Sequence, residues 1–397
     1  MAKIQTIGVL TSGGDAPGMN AAIRAVTRAG ICNGFTIKGI YRGWEGLING
    51  DIKTFTTEDV SGIINQGGTI LRTARSEAFR TYEGREKAYE TMQREGIDAL
   101  VVIGGNGTLS GAKEFAEEFD VCCVGLPGTI DNDLYGTDHC PGFASAAKYI
   151  ATSFMEVSRD CHVYDVGMIT IIECMGRHAG WLTAAASLAN LKGDGPDLVY
   201  LPEVDFDMDR FLADVKRVYA EKKNCLVAVS EGVHYADGSF VSEAKTSGTD
   251  GFGHAQLGGL AARLAAVVKA ATGAKVRGIE LSLLQRCASH CASATDIEES
   301  FNSGKIAVES ALAGVTDKMV GFQCDRKGGY KCNYVLFDLG DVANAEQKVP
   351  LSWINEEHNG VTQDFVDYCL PLIQGETKQA KVDGLPDFVQ LKKVFAK

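Results

Sequence analysis

Short apolar runs alternate with longer amphipathic segments along most of this 397-residue chain. Short apolar runs indicate buried strands, whereas apolar residues that recur with a period of 3.6 indicate helices. The predicted strands are Thr6–Thr11, Ala99–Ile103, Val121–Leu126, Met168–Ile172, Leu198–Leu201, Leu226–Ser230 and Val276–Ser282. The predicted helices are Met19–Cys32, Glu86–Glu95, Ser110–Glu118, Ala144–Val157, Trp181–Leu191, Asp207–Lys222, Leu257–Ala271 and Asp296–Leu312. This alternation predicts an α/β fold with mostly parallel sheets flanked by helices.

The length of the chain and changes in composition along it indicate more than one folding unit. A chain of 397 residues suggests two core-forming units. The composition shifts near His139–Gly142, a candidate first crossing between them, and Tyr235–His254 is polar and Gly-rich like a surface insertion. After Asp325 the apolar pattern becomes irregular and prolines interrupt it, so we expect residues 326–397 to form a C-terminal extension that wraps around the outside.

Composition and charge exclude several classes of function. A net charge of −12 argues against a general nucleic-acid or membrane-surface binder, so an anionic ligand needs a local basic pocket. No apolar run of about 18 residues occurs, which predicts no membrane-spanning helix. The 12 cysteines form no C-x-x-C pair, and Cys287 and Cys291 lack a second ligand pair for zinc. We therefore expect reduced thiols in a cytoplasmic protein that begins without a signal peptide.

Glycine-containing turns follow three of the predicted strands. They are Ser12–Asp15, Gly104–Thr108 and Pro127–Asp133. Ligands of open α/β sheets gather at the carboxyl ends of strands, where glycine lets the backbone approach phosphate oxygens closely. Asp131 and Asp133 lie two residues apart in the third turn, which indicates a general base or a metal ligand. Neither a Walker A motif nor the dinucleotide fingerprint matches these turns.

Six segments in order resemble the motifs of the 6-phosphofructokinase family over roughly residues 4–325. They are Gly8–Asn20, Gly104–Thr108, Pro127–Asp133, Met175–Arg177, Ser230–Gly232 and Gln285–Arg286. The resemblance implies two Rossmann-like lobes and transfer of a terminal phosphoryl group to the 1-hydroxyl group of fructose 6-phosphate. It assigns residues 1–141 plus about 285–325 to a donor-binding lobe and residues 142–284 to a sugar-phosphate-binding lobe. It also implies a homodimer or homotetramer whose sites are completed across an interface.

The resemblance further implies roles for individual residues. Asp131 matches the general base that accepts the proton of the sugar hydroxyl, and Thr129 and Arg177 match residues at the transferring group. The implied donor-binding residues are Gly14, Arg75, Gly105, Asn106, Gly107 and Thr108, and the implied Mg²⁺ ligands are Asn106 and Asp133. The implied sugar-binding residues are Thr129, Ile130, Asp131, Met175, Gly176, Arg177, Glu231, Arg277 and Arg286. Among these, Arg277 and Arg286 match cations that hold the 6-phosphate, Arg277 from a neighbouring subunit.

Two glycines bear on the identity of the phosphoryl donor. Family members that use pyrophosphate have an Asp at the position of Gly107 and a Lys at that of Gly128. The added Asp crowds the space of an inner nucleotide phosphate, so the two glycines predict ATP as the donor. The resemblance also implies Mg²⁺ and a role in glycolysis. Pyrophosphate is the alternative donor, because the segment Asp250–His254 is similar to the pyrophosphate-using and mixed-substrate branches.

Several departures from the family pattern leave other functions open. Asn106 replaces a carboxylate linked to Mg²⁺, Met168 replaces a phosphate-binding Arg, and Leu283 replaces a His near the 6-phosphate. They are the reason to consider a third function, a non-catalytic sugar-phosphate-binding regulatory subunit. A Rossmann dehydrogenase is disfavoured because the fingerprint and its ribose-binding acid are absent. The sequence leaves open allosteric effectors and activity on sedoheptulose 7-phosphate.

Overall fold

The computed structural model describes residues 4–163, 165–242, 259–342 and 345–388. The chain divides into two compact units, which we call unit 1 and unit 2. Unit 1 comprises Met1–Ser145, Arg286–Gln347 and Gln374–Lys397, and unit 2 comprises Ala146–Gln285 and Lys348–Ile373. The C-terminal residues are thus shared between the two units. The division into a donor-binding and a sugar-binding lobe stays a prediction.

Strands and helices alternate along the chain. The strands are β1 (Thr6–Thr11), β2 (Thr36–Ile40), β3 (Ile52–Phe55), β4 (Ala99–Gly104), β5 (Cys122–Pro127), β6 (Met168–Cys174), β7 (Leu198–Tyr200), β8 (Asn224–Ser230), β9 (Val276–Glu280), β10 (Lys318–Asp325), β11 (Lys331–Asp338), β12 (Lys381–Val382) and β13 (Leu385–Pro386). The α-helices are α1 (Met19–Cys32), α2 (Gly43–Asn49), α3 (Tyr82–Arg94), α4 (Asn106–Phe119), α5 (Phe143–Cys161), α6 (Trp181–Ala185), α7 (Met208–Lys222), α8 (Leu260–Thr272), α9 (Leu284–Cys287), α10 (Ala294–Leu312), α11 (Leu339–Val342) and α12 (Gln363–Cys369).

The sheet of unit 1 has the strand order β11-β10-β5-β4-β1-β2-β3. The neighbours from β10 to β2 pair in parallel, whereas β11 and β3 at the two edges pair antiparallel. β4 is buried along its whole length, as expected for a continuous apolar run covered on both faces. The carboxyl ends of β5, β4 and β1 therefore lie side by side.

The sheet of unit 2 is parallel throughout, with the order β7-β8-β6-β9. All residues of its central strand β6 are buried. Trp181, at the start of α6, packs against Tyr368 and Phe365 of α12 with ring centroids 5.2 and 6.3 Å apart. Residues of the C-terminal region therefore complete the core of this unit. The predicted α/β class with mostly parallel sheets is confirmed.

Six strands of unit 1, β2, β3 and β10 to β13, were not predicted from the sequence. The two central residues of β3 are exposed, and β11 leaves alternate residues exposed, so neither strand forms an apolar run. β10 and β11 pair as an antiparallel hairpin, so the chain beyond Asp325 begins with regular structure and the expectation of an irregular region is wrong there.

In unit 2, the predicted helix Trp181–Leu191 is α6 followed by a 3₁₀ helix at Ala186–Lys192.

Several predicted segments fall partly or wholly outside the described residues. The segment Asp250–His254 lies outside the described residues, and of the predicted insertion Tyr235–His254 the structure describes residues 235–242. Of the predicted helix Leu257–Ala271 it describes α8 from Leu260, and of the predicted extension 326–397 it describes residues 326–342 and 345–388. Within the four described ranges, no helix combines the length and the hydropathy needed to cross a membrane.

Candidate active site

Three turns meet at the carboxyl edge of the sheet in unit 1. The amide of Ser12, after β1, donates to the carbonyl oxygen of Ile103 on β4 at 3.1 Å. The amide of Gly128, after β5, donates to the carbonyl oxygen of Gly104 at 3.0 Å. A Cβ atom at residue 104 would lie 2.6 Å from the carbonyl oxygen of Ser12, closer than real Cβ atoms approach. Glycine at this position therefore allows the turns to lie directly against one another.

Side-chain hydrogen bonds hold the backbone of the acidic turn after β5. Asn132 adopts the left-handed conformation with φ of 56°, which Asn tolerates better than most residues. Its side-chain oxygen accepts a hydrogen bond from the amide of Cys140 at 2.8 Å. The hydroxyl group of Thr129 accepts a hydrogen bond from the amide of Asp131 at 3.2 Å. These bonds hold the turn while Asp131 itself stays exposed, within reach of a small molecule.

Asp133 is more shielded than Asp131, and its carboxyl group is perturbed. Burial, followed by the like charges of Asp131 and Glu346, raises the pKa of Asp133 to about 7. The side-chain nitrogen of Asn106 donates to Asp133 Oδ2 at 3.3 Å. This hydrogen bond links the second glycine-rich turn, which contains Asn106, to the acidic turn, which contains Asp133.

The side-chain oxygen of Asn106 gives a test of whether a metal ion fits here. This Oδ1 atom is buried and has no hydrogen-bond partner in the part of the chain that the structure describes. An unsatisfied buried acceptor costs about 1–3 kcal/mol, so an external partner is expected. A carboxylate oxygen from Asp133 and an amide oxygen from Asn106 are the hard ligands that Mg²⁺ prefers. The residues present therefore fit such an ion.

The second glycine-rich turn leads into the N-terminus of α4, a helix of 14 residues. The amides of Thr108 and Leu109 donate to the carbonyl oxygen of Gly105 at 3.0 and 3.1 Å. Gly107 is exposed in this first helical turn, whereas Thr108 is buried, and a Cβ at Gly13 would lie 3.3 Å from Thr108 Oγ1. A helix N-terminus flanked by two glycine turns is well suited to bind phosphate oxygens.

Two arginines that we expect to bind phosphate lie in unit 1. Arg286 Nη1 lies 3.3 Å from the position of a Cβ on Gly14, and its Nε lies 3.7 Å from Asp15 Oδ1. This Nε is buried without a hydrogen-bond partner among the described residues. Arg75 is exposed in the loop between β3 and α3. The structure thus places Arg286 on the first glycine-rich turn, although the resemblance assigned it to the sugar 6-phosphate.

A second pair of turns interlocks in unit 2. Met175–Arg177 follows β6, and Ser230–Gly232 follows its parallel neighbour β8. The amide of Gly176 donates to Glu231 Oε1 at 3.4 Å. A Cβ at Gly232 would lie 1.9 Å from a carbonyl oxygen of the first of these turns. The structure therefore brings these expected sugar-binding residues together.

Arg277 does not join these turns. Arg277 lies on the edge strand β9, where it pairs with Thr170 of β6, and its side chain is exposed. Five residue steps separate Thr170 from Met175, about 16 Å along a strand, so Arg277 lies well before the carboxyl edge. Met168 is fully buried at 0% exposure, and Leu283 is 57% exposed. Because both side chains are uncharged, neither position supplies a cation for phosphate.

Sequence reasoning missed two residues that support the acidic turn. The amide of Gln347 donates to the carbonyl oxygen of Asp133 at 2.7 Å, and Glu346 forms an antiparallel bridge with Leu134. Glu346 also raises the pKa of Asp133, as described above. Both residues come from a distant part of the chain, so no local motif could have indicated them.

Comparison with known proteins agrees with this arrangement. A family model described as Phosphofructokinase matches residues 6–311. The chain is 49% identical over 244 residues to ATP-dependent 6-phosphofructokinase 2 of Bacteroides thetaiotaomicron, covering 60% of this chain and 73% of that protein. It is 41% identical over 318 residues to pyrophosphate--fructose 6-phosphate 1-phosphotransferase of Xanthomonas campestris pv. campestris, covering 78% and 76%. The crystal structure of pyrophosphate-dependent phosphofructokinase from Marinobacter aquaeolei superposes with a TM-score of 0.85 at 32% identity, covering 97% and 95%.

The chain belongs to the phosphofructokinase family, since the family model spans most of its length. The resemblance inferred from the six motifs is confirmed, and so is the class of enzyme, a phosphotransferase. Relatives named for ATP and relatives named for pyrophosphate both occur, so similarity by itself does not select the donor.

Proposed function

We propose that the chain transfers the terminal phosphoryl group of ATP to the 1-hydroxyl group of fructose 6-phosphate, as a step of glycolysis. The observation that carries this proposal is the meeting of the acidic turn with two glycine-rich turns at one edge of the unit 1 sheet. Phosphoryl transfer needs positioned phosphates, neutralised charge and a base for the attacking hydroxyl more than it needs covalent chemistry. The three turns offer amides, a metal-binding pair and an exposed carboxylate.

Asp131 is the general base in this proposal. It accepts the proton of the 1-hydroxyl group as that oxygen attacks phosphorus. Its exposure and its support by Thr129 favour it over Asp133, whose Oδ2 is already engaged by Asn106. Thr129 and Ile130 contact the substrate beside it.

Asn106 and Asp133 would hold Mg²⁺, which when bound neutralises charge on the donor phosphates. Mg²⁺ keeps several waters and binds substrate phosphates, so few protein ligands are required. Gly14, Gly105, Gly107 and Thr108 line the two glycine-rich turns that receive the donor, and Arg75 adds a cation. Because the amide of Asn106 is neutral, Asp133 supplies the protein charge of this pair.

A further set of residues binds the sugar phosphate in this proposal. Glu231 accepts hydrogen bonds from sugar hydroxyl groups, Met175 and Gly176 contact the sugar, and Arg177 stabilises the transferring group. Arg286 and Arg277 bind the 6-phosphate, Arg277 from a neighbouring copy in a homodimer or homotetramer. The exposed position of Arg277 on an edge strand supports this sharing. We expect a cytoplasmic enzyme without nucleic-acid or membrane partners.

Pyrophosphate is the second candidate donor, and the relatives named for pyrophosphate favour it. Gly107 and Gly128 favour ATP, because neither adds a side chain beside the donor. Gly128 is also packed tightly, since a Cβ there would lie 3.0 Å from Ile103 Cγ2 and 3.3 Å from Met19 Cε. A test of Gly128 must therefore separate the effect of packing from the effect on the donor.

The donor assay uses purified protein with fructose 6-phosphate, Mg²⁺ and either ATP or pyrophosphate. We expect faster formation of fructose 1,6-bisphosphate with ATP. Faster turnover with pyrophosphate would assign the chain to the second function. Absence of turnover with both donors would favour a non-catalytic, sugar-phosphate-binding regulatory subunit.

The two glycines are tested by the double variant Gly107→Asp, Gly128→Lys. We expect kcat/KM for ATP to fall, because the Asp crowds and repels an inner phosphate. Gly128→Ala is the matched control, since it adds the same Cβ against Ile103 without a charge. Unchanged ATP kinetics in the double variant, or an equal loss in the control, would contradict the steric argument.

A further inference from the structure

Two cysteines face each other across the hairpin of β10 and β11. Cys324 and Cys332 are register partners in this antiparallel pair. Directly opposed residues have Cα atoms about 4.5 or about 5.5 Å apart, depending on the type of pair. Both separations fall within the roughly 4.4–6.8 Å that disulfides span. Both cysteines are free thiols and partly exposed. The backbone separation of the pair is therefore compatible with a disulfide bond between them.

Cys324 lies beside a buried histidine that is flanked by carboxylates. His139 is fully buried, with Nδ1 3.0 Å from Asp138 Oδ1 and Nε2 2.8 Å from Glu299 Oε2. These partners outweigh burial and hold the pKa of His139 well above its usual value, so the imidazole is charged. Cys324 Sγ lies 3.9 Å from His139 Nδ1. A cation at this distance favours a thiolate.

The two thiols of the pair are chemically unequal. A hydrogen bond from Cys332, and then the contact with His139, lower the pKa of Cys324 to about 6. The same hydrogen bond, in which Cys332 is the donor, raises the pKa of Cys332. The hydroxyl group of Tyr330 lies 3.4 Å from Cys324 Sγ and donates to Glu299 Oε1 at 2.6 Å. Of the two thiols, Cys324 is the one that lies beside His139, so its thiolate is the more strongly favoured.

We propose that Cys324 and Cys332 form a peroxide-reactive dithiol site, in which Cys324 attacks and Cys332 resolves. The Cys324 thiolate attacks one oxygen of a hydroperoxide, the O–O bond breaks, and a sulfenic acid and hydroxide (or alkoxide) result. The Cys332 sulfur then attacks Cys324 Sγ, the S–O bond breaks, and water leaves with the thiol proton. Two thiol groups are oxidised by two electrons, and the peroxide is reduced. A dithiol reductant reverses the change by thiol–disulfide exchange.

A bound metal ion is a less suitable occupant of the same place. Ligand atoms of Asp138, His139 and Cys324 lie within 4.8 Å of one another. However, Arg326 donates to both carboxylate oxygens of Asp138 at 2.7 and 2.8 Å. A cation at Asp138 would meet this guanidinium group, and His139 would have to lose its proton. The charges already present therefore favour a thiolate as the partner of His139.

Peptide mapping tests the proposal directly. The reduced protein is treated with equimolar hydrogen peroxide, alkylated and digested with trypsin. Arg326, Lys327 and Lys331 lie between the two cysteines, so cleavage leaves Cys324 and Cys332 on separate peptides. We expect these two peptides to be joined by a disulfide, with a loss of 2 Da from the intact protein, and to separate on reduction.

Single substitutions distinguish the roles of the two thiols. In Cys332→Ser we expect a sulfenic acid at Cys324 that dimedone traps, and in Cys324→Ser neither adduct nor disulfide. Cys32→Ser is the matched control, because Cys32 is exposed at the end of α1 and should leave the linkage intact. Circular dichroism checks that each variant is folded, and Cys332→Ala replaces Cys332→Ser if the latter is not.

Three results would overturn the proposal. One is oxidation of the exposed Cys32 or Cys287 while Cys324 stays reduced. Another is dimedone labelling of Cys332 rather than Cys324. The third is stoichiometric zinc in the purified protein that is lost in Cys324→Ser. None of these readouts depends on phosphoryl transfer, so they are independent of the proposed enzymatic function.

Discussion

Asn106 combines two properties that decide how the candidate site can work. Its nitrogen donates to Asp133, and its buried oxygen has no partner among the described residues. Asp133 in turn carries a pKa raised to about 7, mainly by burial and then by Asp131 and Glu346. A positive ion would satisfy the oxygen and relieve the repulsion between the carboxylates at once. We therefore expect metal affinity to depend on the charge at residue 106.

The variant Asn106→Asp tests this dependence. The added carboxylate should lower the Mg²⁺ concentration needed for half-maximal rate, because Mg²⁺ prefers anionic oxygen. Without Mg²⁺ it should lower the melting temperature, since two shielded carboxylates would then repel each other. Rates are measured over a Mg²⁺ titration, and melting curves with and without the ion. Asn106→Ala should shift the Mg²⁺ requirement in the opposite direction, and an equal requirement in all three proteins would contradict the assignment.

At the scale of elements, the central strands β1, β4, β5, β6 and β8 were predictable, whereas β2, β3, β10 and β11 were not. β1 and α1 match their predicted limits, because apolar residues line the strand and the helix face that it contacts. β11 exposes alternate residues, and its pairing with β10 depends on tertiary context that no local pattern contains. The glycine turns at strand ends could likewise be placed from the sequence. The support of the acidic turn by Glu346 and Gln347 could not, because it comes from a remote segment.

The centre of the unit 2 sheet holds a second perturbed carboxyl group. Glu173 on β6 is buried and accepts a hydrogen bond from the amide of Ala261, at the start of α8, at 2.8 Å. Burial raises the pKa of Glu173 to about 7, which the bond to Ala261 opposes and the charges of Glu280 and Glu231 reinforce. The unfolded value is about 4.3, so the folded state binds the proton more tightly. Stability should therefore fall as pH rises from about 4.3 to about 7.

Glu173→Gln removes this titration while keeping an acceptor for Ala261. Relative to the unmodified protein, its free energy of unfolding should rise between pH 4.5 and 7 and level off above. The gain is limited to roughly 4 kcal/mol, at about 1.4 kcal/mol per pKa unit. Urea unfolding at a series of pH values measures it. Glu298→Gln, on an exposed position of α10, is the control, and parallel curves for Glu173→Gln and the unmodified protein would contradict the account.

At the scale of the whole molecule, the position of Arg277 bears on assembly. Its strand β9 is the edge of the unit 2 sheet, and the side chain is exposed away from the carboxyl ends where the turns gather. The sequence alone indicated only that Arg277 matches a phosphate-binding cation of the family. The proposed phosphate-binding role of Arg277 involves a second copy of the chain. The proposal therefore predicts that catalytic activity depends on oligomerisation.

Mixing two inactive variants tests whether sites are shared. Arg277→Ala and Asp131→Asn should each be nearly inactive alone. After dissociation and reassembly of a mixture, hybrid assemblies contain sites with both residues intact, about a quarter of all sites for randomly mixed dimers. Activity should then recover toward that fraction, as measured by formation of fructose 1,6-bisphosphate. No recovery, although hybrids are detected by native mass spectrometry, would contradict the shared site.

The central claim is that Asp131 acts as the base for phosphoryl transfer to fructose 6-phosphate. It is tested most directly by kcat for Asp131→Asn, with saturating fructose 6-phosphate, Mg²⁺ and the preferred donor. Loss of the base should lower kcat by about 10²–10⁴-fold, while fructose 6-phosphate binding and the melting temperature change little. A kcat close to that of the unmodified protein would contradict the account.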